Sequence, residues 1–369
     1  MTKTLDVDQN QTINAFLLFY IITGSQIGVG IHGFQRLIYQ QAKQDAWISI
    51  IVIFLLAHIV AFIMIKTLEL YQTQDIYGIH QQVYGKLLGN FLNAIYVFYC
   101  MFGFFSIAIN YVEVINTWLF PRINPLLLLL SLLLICIYAF TGGFRVIVGF
   151  SFFSLFFMLW IPPILYYTLE FTNVYYLLPV MEDFMGVLRG SYQMAFSVVG
   201  FEIINMVYPF IKEKEKKKAQ KYVHLGLLGT LTLYLMLMLV ALTYFSGEQL
   251  EKTIWATLTL FTIIKLPFIE RIEIITICLW LVIIIPNLCL YMWASYRGIV
   301  RIKNISPRVF YLAFAISVLI GSVFINTRGE ISMVNDLFGR IGFYLVFVYP
   351  FILYFLAIIR KKILAKSNR

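Results

Sequence analysis

Two short stretches carry the residue types that could do chemistry. One is Gly24-Ser25-Gln26-Ile27-Gly28-Val29-Gly30, the other Val198-Val199-Gly200-Phe201-Glu202. Each interrupts an apolar segment with glycine and polar side chains, and Gly28 and Gly200 lie 172 residues apart. Glycine lets a helix unwind and lets a ligand approach the backbone closely. An unwound helix bares amide N–H groups at one half-helix N-terminus and carbonyls at the other half's C-terminus. The first suit a carboxylate and the second an ammonium group. A zwitterionic amino acid carries both. The competing reading of Gly24 and Gly28 is a small-residue face for helix packing. The second interruption, in the corresponding place of the chain, favours a binding site.

Two carboxylates fall within apolar segments, Glu113 and Glu202. A charge at the bilayer centre costs about 2.5–3.5 kcal/mol on insertion scales, which makes such residues functional candidates. Glu113 is expected near the outer end of its segment, within reach of interfacial water. Glu202 sits in the break itself, and two roles stay open: accepting hydrogen bonds from freed amides, or facing a ligand amine or a proton. His32 and His58 read as satisfied interior residues or proton relays. Cys100, Cys136, Cys278 and Cys289 lie in apolar segments without CxxC spacing and read as small buried hydrophobes. Gly28 to Gly33 spells G-x-G-x-x-G, but it follows an apolar helical segment with no acid near position 53 to hold a ribose, so the match is chance. No Walker A, H-E-x-x-H or G-x-S-x-G occurs. Enzyme activity, a cofactor and a metal site have no support.

The elements that must position these residues follow from composition. Of 369 residues, 61% are hydrophobic and 12% charged, half the charge of a soluble domain at about 25%. Lipid has to solvate the excess, and only helices and closed barrels satisfy their backbone in hydrocarbon. Long continuous apolar runs without dyad alternation exclude a barrel. The pattern predicts an all-α polytopic membrane protein with ten transmembrane helices. They are expected at about 13–41, 46–66, 87–117, 125–141, 145–168, 189–211, 222–245, 271–295, 308–326 and 337–360. Spans 1 and 6 are the broken ones. Each opens a half of five spans, about 13–168 and 189–360, within a single transporter-like membrane domain over 1–369. An odd number of spans per half inverts the second half. That is the pattern of an inverted-repeat transporter, with its site near the midplane between the breaks.

Net charge is +10. With the N-terminus inside, 19 of the 28 basic residues fall on the cytoplasmic side, from Lys3 through the loop 212–221 to the tail 361–369. The positive-inside bias therefore places both termini in the cytoplasm. No motif supports nucleic-acid binding. The run Lys212–Lys221 reads as a solvated loop at anionic lipid, with a partner-docking role as the alternative. The first apolar segment follows Asp6 and Asp8 with no basic leader and is expected to be retained. The outer loop 246–270 is expected to lay a helix, Ile254 to Leu266, over the mouth.

These residues resemble the B-subunit family of spore germinant receptors, within the amino acid–polyamine–organocation transporter superfamily. The matching stretches are Gly24 to Ile31, Leu177-Leu178-Pro179-Val180, Gly200-Phe201-Glu202, Pro209-Phe210-Ile211-Lys212 and Arg271-Ile272-Glu273 through Trp280. One departure is Gln35 before Arg36, where the family commonly has proline. The resemblance implies a LeuT-like 5+5 core in the inner membrane of the spore. It also implies a second membrane subunit and a lipoprotein subunit as partners, and an amino acid or similar nutrient as ligand. The expected contacts are Gly24, Ser25, Gln26, Ile27 and Gly28 of span 1 and Val199, Gly200, Phe201 and Glu202 of span 6. Tyr99, Phe102, Gly103 and Ser106 of span 3 would wall the pocket, with span 8 and Tyr291 opposite. The alternative function is a proton- or sodium-coupled amino-acid permease.

Overall fold

The computed structural model describes residues 11–265, 270–325 and 327–367. Lys3, Asp6, Asp8, Leu266 and Arg369 lie outside the described residues. Among the described residues there is no named strand, only an isolated bridge between Ile13 and Ile211. Among the described residues, six helical stretches are long and apolar enough to cross a membrane, including Lys86–Trp118, Phe144–Phe171, Ile272–Ile302 and Arg328–Ile363. Span 4 (Pro125–Thr141) and span 9 (Pro307–Val323) are shorter apolar helices. Spans 1 and 6 are each made of two pieces. Span 1 is Leu17–Gln26 followed by Phe34–Ala42, and span 6 is Phe184–Val198 followed by short turns to Phe210.

The breaks arise where the sequence withholds side chains. After Gln26 the chain runs extended through Ile27 (φ −92°, ψ 94°) and Gly28 (φ −112°, ψ −158°) before a short 3-10 turn, Val29–His32. In span 6 the helix ends at Val198, Val199 is extended, and Gly200 takes φ +123°. Only glycine reaches that region readily.

The two halves pack as inverted copies. The first leg of span 1 lies against span 7 (Ala219–Tyr244), where Gly226 leaves room for Ile22 and Phe19. The first leg of span 6 lies correspondingly against span 2 (Ala46–Tyr71), where Gly190 leaves room for Ser49. Ser49 Oγ donates to the Val187 carbonyl at 2.9 Å and Ser191 Oγ to the Ser49 carbonyl at 3.1 Å. Such short polar links replace the missing hydrophobic drive between helices in lipid. Spans 3 (Lys86–Trp118) and 8 (Ile272–Ile302) form the most extensive helix pair and carry the wall opposite the breaks.

Several boundaries and placements differ from expectation for identifiable reasons. Span 10 starts at Arg328 rather than near 337, because Thr327 and Glu330 form a capping box; such a box nucleates a helix start. Cys278 is exposed, against the expectation of burial, since it falls outside the buried stripe of Ile277, Trp280 and Ile284. The run from Glu213 to Lys218 is a 3-10 turn and not simply solvated. Lys216 is buried, with Nζ 2.9 Å from the Gln72 carbonyl and 2.6 Å from Glu213. Among its described residues the loop 246–270 holds two helices, Gly247–Lys252 and Ala256–Thr262, instead of one. They cover the break of span 1: Thr257 Oγ1 donates to the Ile31 carbonyl at 2.8 Å and accepts from Gln35 Nε2 at 2.6 Å. Gln35 thus pins the cover.

Candidate functional site

The two breaks meet back to back. A Cβ placed on Gly200 would lie 2.2 Å from the carbonyl oxygen of Ser25, so the unwound backbones are in direct contact. Gln26 bridges them, its Nε2 donating to the Val198 carbonyl at 2.7 Å. Beside this seam lies a cavity of about 40 Å³. At roughly 10–15 Å³ of such volume per water, that is space for a few waters or one small polar molecule.

Ser25, Gln26, Gly28, Val29 and Gly30 bound the cavity from span 1, and Phe196, Ser197 and Val199 from span 6. Ser106, Ile107 and Asn110 of span 3 form the far wall, with Asn287 and Tyr291 of span 8, Tyr234 of span 7 and Phe338 of span 10. Of the residues expected from sequence, Ser25, Gln26, Gly28, Ser106 and Val199 are therefore in the wall. Gly200 forms the seam behind it. Gly103 backs the wall beneath Phe338 and Tyr291. Gly24 packs instead on Ser151 and Ser154 of span 5, and Ile27 and Phe201 are buried in the core, Phe201 against Phe347. Phe102 stacks on Phe98 and touches Phe338 edge-on.

Glu202 has turned away from the cavity to hold its own break. Its Oε2 accepts from the Gly200 amide at 2.6 Å, and its Oε1 accepts from Tyr99 at 2.7 Å and Tyr291 at 3.1 Å. The carboxylate so replaces helix bonds lost by unwinding and ties span 6 to spans 3 and 8. Of the two roles left open by the sequence, this is the backbone-capping one. Glu113 does not simply reach water; it is paired with Arg328 at the start of span 10.

The polar atoms left over define what the cavity can hold. Gln26 Oε1 and Asn287 Oδ1 are buried acceptors without a hydrogen-bond partner. Orphaned acceptors of this kind are costly and ask for a donor. The amide of Gly28 begins the second turn of the break and donates to no backbone carbonyl among the described residues. Acceptors for an ammonium and an amide for a carboxylate thus share one small chamber. Behind the span 3 wall Asn335 accepts from Ser106 at 2.9 Å and from Asn110 at 2.7 Å, and the lining rings Phe338 and Phe196 stand edge to face. His32 lies behind the break on Trp280, whose Nε1 donates to the Gly28 carbonyl at 3.3 Å. Asn110 and Asn287 were missed in the sequence. Asn110 continues the polar row Ser106-Asn110-Glu113 on one face of span 3, and Asn287 follows Pro286 in mid-helix; both signals were legible.

The profile of the spore germination protein family matches residues 12–331. The chain belongs to that family. Spore germination protein GerQB of Bacillus cereus is 34% identical, covering 91% of this chain and 93% of that protein. Spore germination protein A2 of Bacillus subtilis strain 168 is 23% identical over 98% of this chain and all of the relative. Among solved structures, this spore germination family member is similar to MhsT in complex with L-phenylalanine, with TM-score 0.60, 11% identity, and coverage of 93% of this chain and 87% of MhsT. It is also similar to a mutant manganese transporter of Eremococcus coleocola, with TM-score 0.59, 13% identity, and coverage of 92% and 78%. A third is Mhp1 of the nucleobase-cation-symport-1 family, with TM-score 0.57, 13% identity, and coverage of 94% and 80%. The fold is LeuT-like, the protein is integral to the membrane, and neither its family nor these neighbours are enzymes.

Proposed function

We propose that this chain is the nutrient-recognising membrane subunit of a spore germinant receptor, with a small amino acid as ligand. The observation that carries the reading is the chamber beside the paired breaks, with two unpartnered acceptors and a free backbone amide. The ammonium would sit between Gln26 Oε1 and Asn287 Oδ1, and the carboxylate at the Gly28 amide. At about 40 Å³ the chamber favours an amino acid no larger than glycine or alanine. Binding biases the receptor only as far as the ligand prefers one arrangement of the spans over another. The basic end faces the cytoplasm with both termini, in the inner membrane of the spore, beside a second membrane subunit and a lipoprotein subunit.

The test is a thermal-shift titration of the purified chain against glycine, L-alanine and larger L-amino acids, repeated with Gln26→Leu. Stabilisation by the small amino acids that is lost in Gln26→Leu supports the reading. A chain stabilised by none of them, or equally by tryptophan, counts against it. The second reading, an ion-coupled amino-acid permease, draws on the transporter neighbours. Concentrative uptake of labelled alanine into vesicles holding this chain alone would favour it.

A further inference from the structure

At the end opposite the termini, spans 3, 4, 9 and 10 enclose a second cavity of about 340 Å³ that shares no lining residue with the central chamber. Its polar side holds the Glu113–Arg328 ion pair. Next to the pair, Asn116 Oδ1 is buried without a partner. Asn124 spends its carbonyl on the Leu126 amide at 2.9 Å and keeps its NH2 to offer. The cavity runs on into an apolar trough between spans 4 and 9, lined by Leu126, Leu127, Leu130, Leu319, Ile320 and Val323, with Leu126 and Val323 common to both. The trough lies on the outer flank, where Leu127 and Ile320 are more than half exposed. A polar chamber at interface depth has thus been joined to a greasy slot facing hydrocarbon.

We propose that this is a site for a glycerophospholipid whose headgroup bears a primary ammonium. The phosphate lies at Arg328 and the Asn124 NH2, the ammonium at Glu113 and Asn116 Oδ1, and one acyl chain in the trough. The ion pair is neutral as a unit, so a zwitterionic headgroup matches both of its poles. An anionic headgroup would set uncompensated charge beside Glu113. A choline headgroup has no N–H to give Asn116 Oδ1. A soluble zwitterion would leave the trough unfilled. The Arg328 guanidinium also lies 5.4 Å over the Trp255 ring, in the cover above span 1, so the lipid touches the outer cover through one side chain. This inference is independent of the nutrient reading.

The test is native mass spectrometry of the full chain released from bilayers of equal phosphatidylethanolamine, phosphatidylcholine and phosphatidylglycerol with identical chains. One phosphatidylethanolamine should be retained with about tenfold preference, the scale of a charge-assisted hydrogen bond. Glu113→Gln and Asn116→Leu should erase the preference, and Ile320→Trp, at an exposed apolar position, should remove the lipid. If Glu113→Gln fails to fold, Ile320→Trp still decides. Equal retention of the three lipids, preference for phosphatidylglycerol, or retention unchanged by Ile320→Trp overturns the proposal. Soluble phosphoethanolamine displacing the lipid at equal concentration would reassign the chamber to a free zwitterion. A wild-type chain carrying no lipid would leave the trough to a helix of another subunit; both results overturn it.

Discussion

Replacing Gly200 with alanine tests the seam on which the site depends. The added Cβ would fall 2.2 Å from the Ser25 oxygen, while real Cβ atoms keep at least 3.0 Å, so the two breaks must part by 0.8 Å or more. That stretches the 2.7 Å bond from Gln26 to Val198 to its limit of about 3.5 Å. The φ of +123° adds backbone strain of about 1–3 kcal/mol for any residue with a side chain. Orphaning the buried Val198 carbonyl costs about 1–3 kcal/mol more. The sum is about 2–6 kcal/mol, enough to depress the melting temperature of the purified chain by many degrees and to abolish the nutrient response of spores carrying it. Gly28→Ala is the control. Its Cβ meets only Asn287 Nδ2, at 3.5 Å, and its φ is ordinary. That variant should melt like wild type yet lose nutrient sensitivity, because the methyl enters the chamber. A Gly200→Ala protein with unchanged melting and an unchanged nutrient dose-response would refute the docked-break geometry.

Removing the Tyr99 hydroxyl (Tyr99→Phe) leaves Glu202 Oε1 with Tyr291 alone and should cost about 1–3 kcal/mol in thermal unfolding, more than Tyr291→Phe, whose bond is longer. His80, in the short helix Ile76–Tyr84 between spans 2 and 3, is held by burial at a pKa of about 4, below its ordinary 6.5. A depressed histidine stabilises the fold above pH 6.5. That contribution, about 3 kcal/mol, is lost as pH falls from 6.5 towards 4. Melting temperature against pH should fall across that window in wild type and fall less in His80→Gln. A lipid-soluble maleimide should modify exposed Cys278 while the buried Cys100, Cys136 and Cys289 stay protected, as read by intact mass.

The ten-helix architecture was legible because each span advertises itself by a long apolar run, and the two interruptions stand out against that background. The inverted pairing of the halves followed from counting five spans between Gly28 and Gly200. What the sequence concealed were contacts made at long range. Whether Glu202 serves ligand or backbone depends on Tyr99 and Tyr291, which lie 103 and 89 residues away. The fate of Glu113 depends on Arg328, 215 residues on. Span 10 begins ahead of its apolar run because the Thr327–Glu330 box precedes a polar first turn, which hydropathy discards. Phe102 was expected to line the pocket, yet on a helix buried along several faces its ring leans toward Phe98 instead.

The strap at the basic end limits how this molecule can flex. Ile13 donates its amide to Phe210 at 2.8 Å and accepts from Lys212 at 3.0 Å, while the Ala15 amide reaches Glu215 at 2.7 Å. The chain entering span 1 is thereby stitched to the chain leaving span 6. Swinging the first leg outward by itself would tear three hydrogen bonds, each worth about 1 kcal/mol. The lower legs of spans 1 and 6 accordingly travel as one lever, and whatever pushes on either is felt by the basic run that joins span 6 to span 7.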